Sequence, residues 1–223
     1  MTIIGTGEQK ILSIIFPGPL PDFIYVNEQF YGEKTNKVND LAQNENRIKM
    51  VWNSPLTTCF VMFYDLPNII NMDFSKFDTS KVTTMEAMFN GCISLTSLYL
   101  GNFNTSSVES MENMFYNDYS LEYLNLDNFN TSITTDLCSM FFRCAKLTSL
   151  DLRSFNTSLV TDMSSTFHDC NSLKYLDISS FNTSSVKRMY CLFYNCSSLT
   201  SLDIRHFDTS SVEKYARHVW TNA

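Results

Sequence analysis

Seven cysteines offer the most reactive side chains of this 223-residue chain, because thiolates bind metals and form disulfides. Four of them, Cys92, Cys144, Cys170 and Cys196, follow one another at intervals of 52, 26 and 26 residues (144 − 92, 170 − 144, 196 − 170). A metal site needs several converging thiols, and the chain has no C-x-x-C. We therefore interpret the four as fillers of small core slots. A disulfide between neighbours, Cys144 with Cys170 or Cys170 with Cys196, is an alternative if the chain is in an oxidising compartment.

Residues for acid–base or nucleophilic catalysis are sparse. The chain has three histidines, His168, His206 and His218, and six glycines. It contains no H-E-x-x-H, no G-x-S-x-G and no glycine-rich phosphate loop. We predict that the protein is not an enzyme and holds no cofactor and no metal. A hydrolase would require a buried, polar pocket that contains a histidine.

Charge and composition exclude further classes of function. The chain has 16 Lys and Arg against 23 Asp and Glu, a net charge of −7, which argues against nucleic-acid binding. No segment approaches the ~18 consecutive apolar residues of a membrane span, so we predict no membrane insertion. The first five residues lack the basic and apolar regions of a signal peptide.

A repeat of 26 residues organises most of the chain. The string Phe-Asn/Asp-Thr-Ser begins at Phe77, Phe103, Phe129, Phe155, Phe181 and Phe207. With this Phe as position 1, each unit carries Val or Thr at position 6, Met or Leu at 9, Phe at 13, Cys or Asp at 16, and Leu or Ile at 19, 22 and 24. This regularity accounts for most of the 18 Phe and 11 Met, which we predict to form the core.

The repeat phase divides the chain into a cap and an array. Residues 1–50 lie outside the phase, and we predict an N-terminal β cap with strands at Gln9–Ile15 and Phe23–Val26, a loop at Gly32–Arg47 and a strand at 48–52. The array is predicted over 51–223, as a degenerate repeat 51–76, full repeats 77–102, 103–128, 129–154, 155–180 and 181–206, and a partial repeat 207–223. Val212, Tyr215, Val219 and Trp220 have the spacing of a terminal helix.

Each unit has the pattern of one helix and one strand. Apolar residues at positions 6, 9, 12 and 13 predict a helix over positions 5–14, with the Ser at position 4 as its N-cap. Alternation at positions 20–24 predicts a short strand that pairs in parallel with its neighbours. We therefore predict an α/β solenoid, a leucine-rich-repeat-like stack with a parallel β-sheet on its concave face and helices on its convex face.

The motif resembles the unit of the BspA-like leucine-rich repeat proteins in their 26-residue variant. Residues Phe77 to Leu100 match F-N/D-T-S-x-V-x-x-M-x-x-M-F-x-x-C-x-S-L-x-x-L-x-L almost letter for letter. The resemblance covers about residues 51–223. It implies a non-enzymatic surface or secreted protein that binds a protein partner, such as a host or matrix protein or glycoprotein, in adhesion. The alternative is a cytoplasmic location, which the missing signal-peptide pattern favours.

The concave strand face carries the candidate binding residues. Strand positions 21 and 23, together with two arginines nearby, give the candidate set of Tyr99, Tyr123, Asn125, Asp151, Arg153, Tyr175, Asp177, Asp203 and Arg205. Stacked carboxylates repel one another, so arginines, solvent or a basic partner must offset the repulsion. An ordinary solvated face and a partner-binding face both fit this pattern.

Three other columns have competing interpretations. Aromatic residues at position 14, Tyr64, Tyr116, Phe142, His168 and Tyr194, form either a contact surface or a layer folded onto neighbouring helices. The Asn-Thr-Ser runs match a glycosylation sequon, but turn chemistry explains them directly. The repeated Thr at position 3 suggests ice binding only if it lies on a flat exposed sheet.

Two functions follow from these patterns. The first is an adhesive binding module, a monomer, that uses the concave face. The second is an intracellular structural scaffold that uses the aromatic column.

Overall fold

The structure, a computed structural model, describes residues 1–213. Within this range it contains ten strands, β1 (Thr2–Ile4), β2 (Gly7–Lys10), β3 (Phe23–Val26), β4 (Gln29–Gly32), β5 (Lys37–Leu41), β6 (Glu45–Val51), β7 (Ile69–Asp73), β8 (Ser97–Tyr99), β9 (Ser149–Asp151) and β10 (Tyr175–Asp177).

The strands form one larger sheet and two small ones. The six-stranded sheet has the order β4-β3-β6-β1-β7-β8, in which β7 and β8 are parallel and the other neighbours antiparallel. Strands β9 and β10 pair in parallel, and β2 pairs with β5 in the antiparallel sense. The six-stranded sheet therefore joins the N-terminal segment to the first repeats.

The predicted strand–helix architecture is wrong, because residues 1–213 contain no helix. Within positions 5–14, where a helix was predicted, positions 10–14 form turns and bends, and position 8 makes an isolated parallel bridge to position 8 of the next repeat, as Thr84 does with Ser110. The backbone at position 11 has φ between 52° and 57° in the five full repeats, at Ala87, Asn113, Ser139, Ser165 and Cys191. Position 15 also has positive φ, from 55° at Asn195 to 80° at Gly91. An α-helix needs negative φ throughout, so position 11 interrupts the predicted helix in each full repeat, while position 15 lies just past its predicted end.

Hydrogen bonds between repeats explain why turns replace the helix. In each full repeat up to residue 169, the N–H groups at positions 9, 11, 13 and 15 donate to carbonyls at positions 8, 10, 12 and 14 of the next repeat. In the first full repeat, for example, Ala87 N donates to Glu112 O at 2.8 Å and Phe89 N to Met114 O at 3.0 Å. A helix would use these groups internally. We call positions 8–15, with these bonds, the turn edge.

Ring stacking in the core shows the same close spacing. The position-13 rings Phe89, Phe115, Phe141, Phe167 and Phe193 lie nearly parallel, with centroids 5.5–5.7 Å apart. Packed helices are separated by about 8–10 Å, so they could not stack at this interval. The predicted core columns of Phe, Met and Leu are confirmed, since nearly all of these side chains are buried.

Positions 2–4 form a second link between repeats. The hydroxyl of Thr105, at position 3, donates to Asn130 O at 2.9 Å and accepts from Asn130 N at 2.8 Å. The same pair of bonds recurs at Thr79, Thr131, Thr157 and Thr183, all of them buried. Because the position-3 threonines are buried, they do not form the flat exposed array that ice binding requires.

The side chain that shapes this turn lies at position 2. Asn104 Oδ1 accepts from Ser106 N at 3.0 Å, and Asn130, Asn156 and Asn182 do the same two residues ahead. The predicted role of the position-4 Ser as a helix N-cap is therefore wrong. The Asn-Thr-Ser runs form Asx-turns, as turn chemistry predicted.

Predictions for the chain ends had mixed outcomes. The strand Phe23–Val26 is confirmed, whereas the strand predicted at Gln9–Ile15 ends at Lys10. The loop predicted at Gly32–Arg47 is wrong, since it contains β5 and the start of β6. Of the predicted terminal helix, Val212 is buried, while Tyr215, Val219 and Trp220 lie outside the described residues.

Strands at positions 20–24 form in only part of the array. Parallel pairing of Asn71 with Ser97 and of Leu150 with Leu176 confirms the predicted sense of the strands. The corresponding segments 123–125 and 201–203 are extended chain outside the ten strands.

Candidate functional site

The predicted binding residues lie along the strand side of the repeats. We call the nine side chains the strand face: Tyr99, Tyr123, Asn125, Asp151, Arg153, Tyr175, Asp177, Asp203 and Arg205. Its tyrosines are strongly exposed, at 54% for Tyr99, 64% for Tyr123 and 54% for Tyr175. Side chains alternate along a strand, so the leucines between these residues point into the core.

Four of the nine side chains form one connected network. Arg153 Nε donates to Asp151 Oδ1 and Oδ2 at 3.0 Å, and its Nη2 donates to Asp151 Oδ2 at 2.5 Å. The same Nε lies 3.6 Å from Asp177 Oδ2 on the neighbouring strand. Tyr175 donates its hydroxyl proton to Asp177 Oδ2 at 3.2 Å. Arg153 therefore offsets the repulsion between the stacked carboxylates.

The carboxylates also shape the backbone. Asp151 Oδ1, Asp177 Oδ1 and Asp203 Oδ1 each accept a hydrogen bond from the N–H two residues ahead, at 3.0–3.1 Å. Asn125 makes the same Asx-turn with Asp127. The position-23 side chains are therefore held in fixed orientations by local bonds.

Electrostatics keeps these acids ionised. Hydrogen bonds from the Arg153 side chain lower the pKa of Asp151, and those from Ser179 lower the pKa of Asp177. The bond to Asp177 raises the pKa of the Tyr175 hydroxyl. At neutral pH the face therefore presents carboxylates, guanidinium groups and neutral phenols, a mixture suited to polar contacts with a protein.

The remaining members stand apart from the network. Arg205 pairs with Asp203 of its own repeat, through Nη2 to Oδ2 at 2.6 Å. A shallow depression of about 490 Å³ lies between this pair and Tyr175. Tyr99 lies over Gly101, where a Cβ would meet its hydroxyl oxygen at 2.5 Å. Only glycine allows this position of the ring.

The cysteines at position 16 lie in core slots, as predicted. Cys92, Cys144, Cys170 and Cys196 are buried and, within residues 1–213, no disulfide joins them. Each of the four Sγ atoms donates to the carbonyl of a position-13 phenylalanine in the preceding repeat at 3.0–3.2 Å. Burial raises the pKa of all four thiols, to about 12 at Cys196, so they are protonated at neutral pH.

One repeat places a carboxyl in the same slot. Asp118 is fully buried, and its Oδ1 accepts from Cys92 N at 3.0 Å. Its Oδ2 is buried with no hydrogen-bond partner. Burial raises the pKa of Asp118 well above its usual range. Sequence comparison of the repeats identifies this position as a break in the column but gives no protonation state.

The aromatic residues at position 14 stack on one another. Ring centroids of Tyr116 and Phe142 are 4.4 Å apart, and those of His168 and its neighbours Phe142 and Tyr194 are 4.6 and 4.5 Å apart. All four side chains are half-buried. Their ring faces are thus occupied by each other, which favours the packed layer over the contact surface.

Comparison with known families places most of the chain in one of them. Residues 34–125, 57–149 and 120–223 match the family described as "Mycoplasma protein of unknown function, DUF285". The chain belongs to the DUF285 family. The matched ranges include the whole strand face and every repeat, and the family description assigns no activity.

Other comparisons add little to the DUF285 assignment. A leucine-rich repeat protein of T. pallidum, known from a crystal structure, is 15% identical with a TM-score of 0.43, over 67% of this chain and 74% of that chain. That score is too low to support an inference about fold. No curated protein matches the chain. Among residues 1–213, no helix is long and apolar enough to cross a membrane.

Sequence reasoning missed a cavity beside the first repeat. It lies between β6 and residues 72–77 and has a volume of about 360 Å³. The sequence feature that could have indicated this cavity is Val51, which replaces Phe at position 1 of the degenerate repeat.

Proposed function

We propose that this DUF285 chain is a non-enzymatic protein-binding module whose partner lies against the strand face. The observation that carries the proposal is the exposure of Tyr99, Tyr123 and Tyr175, each more than half accessible, beside the Asp151–Arg153–Asp177 network. Tyrosine and arginine supply much of the energy of protein interfaces, and exposed tyrosines on a monomer favour a contact role.

Preorganisation of the face supports the proposal. Arg153 is held by three contacts to Asp151, and the position-23 side chains are fixed by Asx-turns. Groups already held in place lose less conformational entropy when a partner binds. The resemblance to BspA-like proteins supports an adhesive role at the cell surface.

A direct test uses paired tyrosine variants. Purified wild-type protein, the Tyr123→Ser/Tyr175→Ser variant and a Tyr190→Ser control are used to capture proteins from host-cell and matrix extracts. Tyr190 is 44% exposed but lies on the turn edge. The expected result is a partner retained by wild type and by the control, with affinity at least tenfold weaker for the double variant. Equal affinity of all three proteins for every captured partner would contradict the proposal.

Location is tested separately. Protease treatment of intact cells removes a surface protein and spares an internal one. Loss of the protein from unpermeabilised cells is expected for the adhesive role. Its survival there, with digestion after lysis, would instead indicate the intracellular scaffold.

A further inference from the structure

The column of position-1 phenylalanines is covered everywhere except at its two ends. Phe103, Phe129, Phe155 and Phe181 are between 1% and 4% exposed. Consecutive rings of Phe103, Phe129 and Phe155 stack at 6.3 Å. Phe77, the first member, is only partly buried. The preceding repeat has Val51 at position 1, so the stack of position-1 rings begins at Phe77.

The 360 Å³ cavity described above lies beside Phe77, at this end of the stack. Its apolar wall includes Met50, Trp52, Phe74 and Phe77. Trp52 meets Phe77 edge-on at 5.6 Å, and Phe74 meets Phe77 at 5.3 Å. This volume corresponds to about a dozen water molecules at ~30 Å³ each. It lies within the range of small-molecule pockets, about 300–1,000 Å³.

The charged side chains at the cavity are mainly cationic. Lys49 and Lys76 line it and are exposed. Asp73 is the acidic residue of the lining, and its Oδ1 already accepts from Ser75 N at 2.8 Å. Lys49 also lies over the Tyr25 ring, with Nζ 5.2 Å from the centroid. An ammonium group on a flexible stem can turn from this weak contact to an anion.

We propose that this cavity, the Phe77 pocket, binds a small apolar carboxylate, a ligand with an alkyl chain and one terminal carboxylate group. The chain lies against Trp52, Phe74 and Phe77, and the carboxylate faces Lys49 and Lys76. Apolar burial supplies affinity and the two ammonium groups select the anionic head. This site does not include any residue of the strand face, so it stands independently of the protein-binding proposal.

The test is a titration with decanoate, below its micellar concentration, of the full chain in a Trp220→Phe background. The chain has two tryptophans, so Trp52 alone then reports binding by its fluorescence. The expected result is a saturable change in Trp52 fluorescence, confirmed by calorimetry.

Ser75→Phe, which fills the cavity from its lining, is expected to abolish this change in fluorescence. Lys49→Ala/Lys76→Ala is expected to weaken binding at least tenfold, about 1.4 kcal/mol. Lys10→Ala, at an exposed lysine outside the pocket, is the matched control.

Several results would overturn the proposal. These are the absence of a saturable decanoate signal, unchanged binding by the double lysine variant, and equal affinity for decyltrimethylammonium, which has the opposite charge. Circular dichroism checks that each variant is folded. The double lysine variant changes exposed side chains, so it decides the question even where Ser75→Phe does not fold.

Discussion

The two edges of each repeat are bonded in different ways. The turn edge carries up to four backbone hydrogen bonds between one repeat and the next, and its side chains at positions 9, 12 and 13 are buried. Within residues 1–213, strands of neighbouring repeats pair at β7–β8 and β9–β10, and the polar side chains of the strand face bond mainly within their own repeat. The turn edge therefore sets the spacing of the repeats, and the side chains of the strand face can differ from one repeat to the next.

This difference separates stability from binding. Changes on the turn edge should alter unfolding, while changes on the strand face should alter recognition and leave unfolding almost untouched. Variants of Phe141, Tyr123 and Arg153 test that division directly, and variants of Asp118 and Thr131 test other contacts between the repeats.

Phe141→Ala should have the largest effect. Its fully buried ring stacks between Phe115 and Phe167 at 5.6 and 5.7 Å. Removing a buried phenylalanine ring leaves a cavity and costs about 3–5 kcal/mol. The free energy of unfolding, measured with urea, should fall by this amount. The control Tyr123→Ala removes an exposed ring of the strand face and should change it by less than about 0.5 kcal/mol. Equal losses from the two variants would remove the distinction between the edges.

The core columns could be predicted from the sequence, but the backbone path through them could not. Apolar spacing at positions 6, 9, 12 and 13 fits a helix and also fits consecutive turns, because both bring these residues to one side. The sign of φ at Ala87 and Ser139 is decided by bonds to the next repeat, and no local signal separates these residues from helix formers. Sequence spacing reports burial more directly than it reports hydrogen bonding.

The candidate site shows the same division. Strand alternation was enough to predict that Tyr123 and Tyr175 are exposed, and closeness in sequence was enough to place Arg153 near Asp151. The contact from Arg153 to Asp177 depends on the distance between repeats, which only the structure supplies.

Asp118 should make stability depend on pH in the direction opposite to acids with a lowered pKa, such as Asp151. Below about pH 4, the usual carboxyl range, Asp118 is protonated in both the folded and the unfolded state, so its ionisation does not lower the free energy of unfolding. Above that pH the unfolded chain releases the proton while the folded chain retains it, because burial raises the folded pKa. The free energy of unfolding should therefore fall by up to about 1.4 kcal/mol per pH unit until the folded pKa is reached.

Asp118→Cys isolates this contribution. It restores the side chain found at position 16 of the other full repeats, and its neighbours Cys92 and Cys144 have thiol pKa values well above the usual range. Urea unfolding of both proteins from pH 4 to pH 8 should give a difference that grows with pH. A constant difference would show that Asp118 is ionised in the folded protein. Asp169 has a lowered pKa in the folded protein, so it contributes a pH dependence of the opposite sign to Asp118. Because this contribution is the same in both proteins, it cancels in the difference between their unfolding free energies.

Thr131→Val tests the hydroxyl links between repeats. The valine keeps the shape of the side chain, but Asn156 N and Asn156 O lose their bonds to Oγ1 at 2.8 and 2.9 Å. Losing these two part-buried hydrogen bonds should lower the unfolding free energy by about 0.5–1.5 kcal/mol for each bond. The matched control is Thr148→Val, where the exposed hydroxyl lies 3.4 Å from Glu122 O. Similar losses from both variants would indicate that the buried position of Thr131 does not matter.

Arg153→Gln should have the smallest effect on folding, although Arg153 has more ionic contacts than any other residue of the strand face. Its side chain is 67% exposed, and exposed ion pairs contribute little because water and salt screen them. The thermal midpoint should stay within error of wild type at both low and high salt. Affinity for a strand-face partner should nevertheless fall, because the guanidinium and its contact with Asp177 are lost together. A clear drop in the midpoint with unchanged affinity would instead make Arg153 a structural link between repeats, and the strand face would then resemble the turn edge.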